Sequence, residues 1–359
     1  MNNTQAKAMV FNSANEAFTL KYMALPQLKE GEILVKITYT TICSSDLHTY
    51  AGRRNSPTPC ILGHEIIGII LDLKNVVTDY FGNYIKKGDL ITWTIYAFDK
   101  NNYMAKKGLP QKSIRLYKYG HHKLSDKDIL NGGFASHCLL RKGTVVFKLP
   151  KNLTAKVASP LNCTHATIAG AIRLAGNIKN KNVLITGVGM LGLSACAMAI
   201  ENGADNVYCT DIDKERLSFA TNFGAKKLFS ATLSATEIND QLKDNEKIDV
   251  VLDTTGVPFA MKTGISLLRI GGIAIWIGAV YNQKETQINA EIIVRNLLTI
   301  KGLHNYTPSD LGLAINFMSK NYNKYPFEAL IGKEYNLAEL SAAFTVANKG
   351  KYYRVGIKQ

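Results

Sequence analysis

A glycine-rich hexapeptide in the second half of the chain constrains the fold more than any other feature of the sequence. Gly187, Gly189 and Gly192 form the pattern G-x-G-x-x-G. The pattern follows the short apolar run 183–185 and opens a segment, 191–201, that looks helical. In such a turn the first glycine permits a tight bend, the second lets a pyrophosphate approach the backbone, and the third lets the helix pack on the strand. The sequence therefore predicts a strand, a dinucleotide-binding turn and a helix whose N-terminus faces phosphate groups.

A carboxylate about 20 residues beyond the first glycine indicates which dinucleotide this site prefers. Asp211 follows the predicted strand 207–210, where it would accept hydrogen bonds from the adenosine ribose and repel the extra phosphate of NADP. NAD is therefore the expected cofactor. Asp211 could instead be a turn or helix N-cap residue, although Asp213 is the better candidate for that cap. The cofactor residues assigned in this half are Gly187, Val188, Gly189, Met190, Leu191, Gly192, Asp211 and Arg216.

Strands alternate with helices through the rest of this half. Apolar runs at 248–252 and 273–277 are typical of buried strands, and 214–222 has the length of an intervening helix. Such alternation predicts parallel β-α-β units and a sheet covered by helices. In the first 150 residues, short apolar runs such as 33–37 and 66–71 are punctuated by glycines, which indicates mostly β-structure. We expect an α/β protein with a mostly-β domain and a doubly wound parallel sheet.

Composition and charge limit the classes of molecule to which the chain could bind. Its 359 residues, 46% of them hydrophobic, suffice for two domain cores. The net charge of +15 raises the question of nucleic acid, but the basic residues are dispersed and neither a basic helix nor an aromatic platform accompanies them. A basic surface could instead steer an anionic substrate. The N-terminal sequence does not resemble a secretory signal and no apolar run of about 20 residues occurs, so we expect a cytoplasmic protein with no nucleic-acid or membrane partner.

Three potential ligands of a soft metal precede the glycine-rich turn. Cys43 opens the pattern Cys-x-Ser-Asp-x-His, His64 lies in Gly-His-Glu, and Cys163 ends Pro-x-x-Cys. Thiolates and imidazole are ligands that Zn²⁺ selects, and three protein ligands with an open fourth position are typical of a catalytic zinc site. Each residue alone has a simpler explanation, since a buried cysteine is usually a small hydrophobe and a histidine beside glycine is usually a turn residue. The remaining cysteines are scattered in a chain whose thiols should stay reduced, so packing explains them better than disulfides.

The order of these motifs ahead of the glycine-rich turn makes the sequence resemble the zinc-dependent medium-chain alcohol dehydrogenases over essentially its full length. The resemblance implies a GroES-like catalytic domain formed by residues 1–164 and 301–359. It also implies a Rossmann NAD-binding domain formed by residues 165–300. Members form dimers or tetramers through the nucleotide domain, and the strand 273–277 is a candidate for edge-to-edge pairing between copies.

The resemblance assigns a role to each motif residue near the metal. It implies that Cys43, His64 and Cys163 bind zinc and that Glu65 is a nearby or transient fourth ligand. Asp46 is expected to orient His64 from behind.

Further roles concern proton and hydride transfer. In this family zinc acts as a Lewis acid toward the alcohol, hydride passes to the nicotinamide, and the proton leaves through Ser45, a ribose hydroxyl and His48. Thr167 matches the position that contacts the nicotinamide end of the cofactor.

The sequence departs from many relatives where they carry a second, structural zinc. The positions of its four cysteine ligands are here occupied by Asp99, Asn102, Ala105 and Ser113. A single carboxylate cannot build a tetrahedral zinc site, so only the catalytic zinc is expected. Without that metal, the segment 99–112 is expected to be weakly ordered or held by packing of Tyr103, Met104, Leu109 and Tyr117.

The sequence constrains the identity of the substrate less than it constrains the metal and the cofactor. Segments including 48–54 and 302–306 resemble a bacterial subgroup associated with phosphonate catabolism, which makes a phosphonate-bearing alcohol or aldehyde the expected substrate. Arg53 and Arg54 could bind phosphonate oxygens, although loop arginines are more often simply solvated. A polyol or threonine dehydrogenase is an alternative, and a zinc-free reductase or non-catalytic scaffold is a third.

Overall fold

The computed structural model describes residues 5–359 and divides the chain into two compact units. The strands, in chain order, are β1 (Gln5–Val10), β2 (Thr19–Ala24), β3 (Ile33–Ile42), β4 (Glu65–Leu73), β5 (Leu90–Ala97), β6 (Tyr117–Lys118), β7 (His137–Leu140), β8 (Thr144–Lys148), β9 (Asn182–Thr186), β10 (Asn206–Asp211), β11 (Lys227–Ser230), β12 (Ile248–Asp253), β13 (Leu268–Trp276), β14 (Thr299–Gly302), β15 (Ile331–Asn336) and β16 (Arg354–Lys358). The α-helices are α1 (Ser44–Tyr50), α2 (Tyr103–Lys106), α3 (Ala155–Ala158), α4 (Ala166–Ala175), α5 (Met190–Glu201), α6 (Lys214–Phe219), α7 (Ala235–Asn239), α8 (Pro258–Leu267), α9 (Ala290–Arg295), α10 (Pro308–Asn321) and α11 (Leu340–Asn348).

The first unit is mostly β. Of the described residues, it contains 5–163 together with 307–323 and 327–359. Its main sheet has the order β15-β16-β3-β4-β5-β6, with β7 paired to β3 and β8 paired to β5. The pairs are antiparallel except for β15 with β16. The long strand β3 is buried along most of its length and lies within the sheet, so its carboxyl end provides a rigid support for the residues that follow.

The second unit is a parallel sheet with helices between its strands. It comprises 164–306 and 324–326, and its strand order is β11-β10-β9-β12-β13-β14. All five neighbouring pairs are parallel. In the order of the chain this sheet reads 3-2-1-4-5-6, the doubly wound arrangement whose reversal lies between β9 and β12. The predicted α/β fold is confirmed, and β9, with all five residues buried, shows why its sequence is a continuous apolar run.

Two details differ from the expectations drawn from the sequence. The second unit extends to Tyr306, six residues beyond the predicted boundary at 300, because β14 pairs with β13 and belongs to the parallel sheet. The strand around 273–277 is not an edge strand, since β13 lies between β12 and β14. Edge-to-edge pairing through β13 is therefore wrong, and β14 is the strand at that edge.

The segment between β5 and β6 is stabilised by polar capping, and of the four side chains expected to pack there only Met104 and Tyr117 are half-buried. Asn102 caps α2 by accepting a hydrogen bond from the Met104 amide at 3.0 Å, and Asp99 accepts one from the Asn101 amide at 2.9 Å. Tyr103 is 63% exposed and Leu109 is 41% exposed, so the expected packing through these two side chains is wrong. Short side chains that cap turns can hold such a segment without a core of its own.

Candidate active site

Two thiols and an imidazole converge in the first unit. Cys43 follows β3 as the N-cap of α1, His64 immediately precedes β4, and Cys163 lies in the π-helical turn Leu161–His165. The antiparallel register of β3 and β4 pairs Thr41 with Glu65, which brings the residues that flank the two strand ends side by side. One ligand atom from each of the three residues lies within 4.8 Å of the others. Residues 120 positions apart in the sequence thus form one compact donor set.

The electrostatics of the cluster favour the metal-binding form of one thiol. The pKa of Cys43 is lowered well below its usual range, mainly because the Cys163 thiol hydrogen-bonds to it, with Arg354 and His64 adding to the effect. The complementary shift raises the pKa of Cys163. A thiolate is the form that binds zinc and a cation beside it stabilises that form. Two sulfurs and a nitrogen at this separation fit the donor set of a tetrahedral zinc site with one position left open.

Asp46 connects the parts of this cluster. Its carboxylate accepts hydrogen bonds from the backbone amides of Cys43, at 2.9 Å, and Gly63, at 3.3 Å. One of its oxygens lies 3.2 Å from Nδ1 of His64. Because Asp46 is completely buried and contacts both strand ends, it fixes the ring of His64 relative to Cys43.

Glu65 is engaged in a buried ion pair next to the cluster. Its two carboxylate oxygens accept hydrogen bonds from Nε and Nη2 of Arg354, each at 2.8 Å, and one also accepts from the Thr41 hydroxyl. Glu65 does not belong to the three-residue cluster found among residues 5–359. A buried carboxylate is stabilised by a bidentate guanidinium, so Glu65 lies near the cluster, as expected, but is held in an ion pair with Arg354.

Arg354 is a site residue that the sequence did not reveal. It is the first residue of β16, whose next three residues are also buried. Its guanidinium lies 3.4 Å from the Sγ atom of Cys43 as well as against Glu65. A charged residue beginning a buried strand is the one signal that could have marked it, because charges are buried almost only when paired.

The two expected relay residues lie on α1. Ser45 Oγ is 3.3 Å from Nε2 of His64, which places the hydroxyl beside the cluster. His48 is half-buried and its Nδ1 accepts a hydrogen bond from Nε of Arg53 at 2.9 Å. Burial, and then the charge of Arg53, lower the pKa of His48 below its usual value. Arg53 is therefore engaged with the histidine, whereas the guanidinium of Arg54 forms no hydrogen bond or ion pair within residues 5–359, although its amide donates to the His48 carbonyl at 3.2 Å.

The glycine-rich turn in the second unit has the geometry that its sequence predicts. Gly187 has a φ of +84°, a conformation that favours glycine. A Cβ atom on Gly192 would lie 1.9 Å from the Gly187 carbonyl oxygen, so helix α5 can approach the turn only if this residue is glycine. Gly189 caps α5 and has open space where a side chain would be. The amide groups of the first turn of α5, at Met190 and Leu191, are thus available to an anion.

Asp211 lies at the end of β10, next to this turn. One of its oxygens accepts a hydrogen bond from the Val188 amide at 2.7 Å and the other accepts from the Asp213 amide at 2.9 Å. Asp213 caps α6 through the amides of Glu215 and Arg216, as the sequence indicated. Asp211 is therefore not the helix cap, and its half-buried carboxylate is oriented by the turn itself.

Arg216 and Thr167, the other two residues assigned to the cofactor, both lie in helices of the second unit. Arg216 is on α6, where its Nε lies 3.7 Å from Asp213. Thr167 is half-buried in the first turn of α4.

A buried carboxylate next to the glycine-rich turn was likewise not predicted from the sequence. Asp253 ends β12 and accepts hydrogen bonds from the hydroxyls of Thr186 and Thr255, at 2.6 and 2.7 Å, and from the Gly256 amide at 2.8 Å. Burial raises its pKa despite these bonds. It joins the carboxyl ends of β9 and β12, the point where the strand order reverses. Its position directly after the apolar run 248–252 was the available signal.

Comparison with known proteins agrees with this architecture. Residues 29–151 match a family model described as the alcohol dehydrogenase GroES-like domain, and residues 190–320 match one described as zinc-binding dehydrogenase. The chain belongs to the zinc-dependent medium-chain alcohol dehydrogenase family. It is an oxidoreductase that acts on CH–OH donors and uses zinc and NAD.

Individual relatives of this dehydrogenase span nearly the whole chain. It is 28% identical over 346 residues to a sorbitol dehydrogenase of Halalkalibacterium halodurans, with 94% of each chain covered. It is 27% identical over 347 residues to a D-arabitol-phosphate dehydrogenase of Enterococcus avium, covering 94% of this chain and 92% of the relative. A crystal structure of an alcohol dehydrogenase from Thermotoga maritima is similar with a TM-score of 0.93 at 27% identity, covering 99% of both chains.

No helix formed by residues 5–359 has both the length and the apolar character needed to cross a bilayer.

Proposed function

We propose that this enzyme oxidises a secondary alcohol of a small hydroxylated molecule and that Cys43, His64 and Cys163 hold the zinc that this reaction uses. The observation that carries the proposal is the convergence of their ligand atoms within 4.8 Å. Glu65 is paired with Arg354, so Cys43, His64 and Cys163 are the three residues that would hold the metal, with Glu65 as a nearby carboxylate that could bind it transiently. Zinc bound there supplies a Lewis acid that lowers the pKa of the substrate hydroxyl.

Ser45 and His48 are proposed to remove the hydroxyl proton. The Ser45 hydroxyl lies beside His64, where it can accept the proton of an alcohol and pass it on. Burial and Arg53 lower the pKa of His48, so the ring is neutral and can take up a proton near pH 7. Asp46 acts indirectly, because it positions the imidazole of His64.

The second unit is proposed to bind NAD through the turn Gly187–Gly192 and the N-terminus of α5. The phosphate oxygens of the dinucleotide would meet the amides of Met190 and Leu191. Asp211 supports a preference for NAD, since a carboxylate held by the Val188 amide would repel a phosphate on the adenosine ribose. Thr167 and Arg216 are proposed to line the same cofactor.

The substrate class is proposed from the relatives and from the charges near the cluster. A polyol is supported by the sorbitol dehydrogenase of H. halodurans, and a phosphorylated polyol by the D-arabitol-phosphate dehydrogenase of E. avium. A phosphonate-bearing alcohol is supported by Arg54 rather than by Arg53, because Arg53 is bound to His48. Threonine stays in the set of substrates to be screened.

A homo-oligomer formed through the edge strand β14 is proposed for the assembly. This strand lies at the end of the parallel sheet and, within residues 5–359, has a neighbouring strand on one side only, which leaves its outer edge open to pairing. Val294 and Leu297, just before it, are each 72% exposed, which is unusual for large apolar residues and supports burial against a second copy.

The decisive experiment measures zinc and activity in matched cysteine variants. Zinc-loaded wild type should contain about one zinc per chain and reduce NAD with a polyol, and a strong chelator should abolish both. Cys43→Ala should lose the zinc and the activity. Cys60→Ala removes a buried cysteine outside the cluster and should retain both. Full activity of the Cys43 variant, or of the zinc-free protein, would contradict the proposal and favour a zinc-free reductase.

A further inference from the structure

Two basic side chains lie near the metal-ligand cluster without an acidic partner. Arg54 follows α1 and Lys118 ends β6, and both are half-buried. Within residues 5–359 neither of them forms an ion pair with a carboxylate. Most other half-buried cations of this unit are neutralised; Arg141, for example, pairs with both Glu32 and Asp128 at 2.8 Å. The unpaired state of Arg54 and Lys118 is therefore a local exception.

The backbone places the two segments that carry these residues side by side. Leu124 donates its amide to the Pro59 carbonyl at 2.7 Å, and Cys60 pairs with Lys123, so the chain after α1 runs beside the chain after β6. The charges interact across this contact, because Arg54 and then Lys112 lower the pKa of Lys118 in addition to the effect of burial. The basic pair is thus built by two segments of the same unit.

The pair also lies next to the metal ligands. His121, three residues after Lys118, has its ring centroid 5.6 Å from that of His64. A Cβ atom on Gly120, two residues after Lys118, would lie 3.3 Å from the Cβ atom of His64, and the Arg54 amide donates to the His48 carbonyl at the end of α1 at 3.2 Å. A group bound by Arg54 and Lys118 would consequently be part of a molecule that extends to the zinc position.

The positive charges of Arg54 and Lys118 indicate which chemical group would bind between them. Two cations held together away from bulk water repel each other, and the repulsion grows as the local dielectric constant falls. A tetrahedral dianion would remove it, since guanidinium binds two of its oxygens at once and an ammonium binds a third as a point charge. A neutral hydroxyl group would leave the repulsion in place.

We propose that Arg54 and Lys118 form a binding site for the dianionic head group of the substrate, a phosphate monoester or a phosphonate. The inference rests on the proposed function and names the substrate class of the same site. Arg53 has no part in it, because it holds His48.

The first test measures binding without turnover. Zinc-loaded enzyme saturated with NADH, so that the cofactor's own phosphate site is filled, is titrated by calorimetry with methylphosphonate, with inorganic phosphate and with the monoanion methanesulfonate. Methylphosphonate and phosphate should bind more tightly than methanesulfonate. Arg54→Met and Lys118→Met should each weaken the dianions at least about tenfold, the effect of losing a charged hydrogen bond. Lys21→Met, which removes an exposed lysine of β2, should change nothing. Absence of binding to the wild type, or equal binding by all variants, would overturn the proposal.

The second test separates this inference from the function on which it rests. The value of kcat/KM is compared for 2-hydroxypropylphosphonate, for the 1-phosphate of propane-1,2-diol and for the neutral diol. The wild type should prefer at least one dianion to the diol, and that preference should fall at least about tenfold in either variant. The two dianions distinguish a phosphonate substrate from a phosphate ester.

Zinc-dependent oxidation of the diol with no preference for either dianion would overturn the anion site and leave the dehydrogenase function intact. Binding of methylphosphonate through Arg54 and Lys118, without oxidation of any alcohol, would support the anion site and contradict the proposed function.

Discussion

Arg354 and Glu65 form a buried, bidentate ion pair directly behind the zinc-ligand cluster. The two hydrogen bonds are both 2.8 Å long, Arg354 is 4% exposed and Glu65 is not exposed at all. The same guanidinium reaches the sulfur of Cys43 at 3.4 Å. The pair therefore neutralises Glu65 and supports the thiolate form of Cys43 with a single cation.

Replacing Arg354 by Met should destabilise the protein by about 3 to 5 kcal/mol, because the carboxylate of Glu65 is left buried without its partner. Urea unfolding of the zinc-loaded protein measures this loss. The double variant with Glu65→Gln should recover part of it. Arg269→Met removes an exposed partner of Asp249 and should cost less than about 1 kcal/mol. A loss that small for Arg354→Met would show that the ion pair contributes little.

Replacing Arg53 by Met should move the acidic limb of the pH dependence of kcat/KM to higher pH. Arg53 competes with a proton for Nδ1 of His48 and its charge lowers the pKa of that ring. Without Arg53 the pKa of His48 rises, so the ring is protonated, and unable to accept a proton, at a pH where the wild type is still active. Profiles of both proteins from about pH 5 to 9 give the comparison. Superimposable acidic limbs would rule out His48 as the group that titrates there.

Alanine substitutions at two glycines of the nucleotide turn should have different effects. Gly192→Ala places a Cβ atom against the Gly187 carbonyl, so the unfolding temperature should fall and NADH binding should be lost with it. Gly189→Ala meets open space in the protein and should leave the unfolding temperature nearly unchanged. If the pyrophosphate lies over this residue, the Gly189 variant should still bind NADH at least about tenfold more weakly. Equal NADH affinity of Gly189→Ala and wild type would place the pyrophosphate elsewhere.

Replacing Asp211 by Ala should weaken the preference for NAD over NADP. The change removes the carboxylate that accepts from the ribose and repels a 2′-phosphate, so the ratio of kcat/KM for NAD to that for NADP should fall at least about tenfold. Asp213→Ala provides the matched control, because it removes a helix cap, costs about 1 kcal/mol of stability and should leave the ratio unchanged. An unchanged ratio in the Asp211 variant would assign coenzyme choice to another residue.

The elements that the sequence predicted well are those with local signals. The continuous apolar run of β9 and the glycines at 187 and 192 report a buried strand and a close helix approach, so the parallel unit followed directly from them. The order of Cys43, His64 and Cys163 was likewise enough to expect that they converge, and the register of β3 on β4 explains why two of them do.

The features that the sequence did not reveal depend on contacts between distant residues. Nothing near Arg354 indicates that it faces Glu65, 289 residues away, and nothing near β13 indicates that β14 lies outside it in the sheet. The capping of α2 by Asn102 depends only on neighbouring residues, so the sequence did contain a signal for it. The missing thiols indicate that no structural zinc binds there, but they do not indicate how the segment is held. The prediction that the enzyme binds only one zinc remains to be tested by elemental analysis.

The position of β16 between β15 and β3 determines the order in which the protein can assemble on the ribosome. Glu65 is synthesised 289 residues before its partner Arg354, which at about 5 to 20 residues per second is a delay of roughly 15 to 60 s. All strands of the parallel sheet, from β9 to β14, emerge within that interval and can complete their unit first. The half of the enzyme that begins the chain is therefore the last to close, and its metal-ligand cluster must wait for the final strand before its buried charge is balanced.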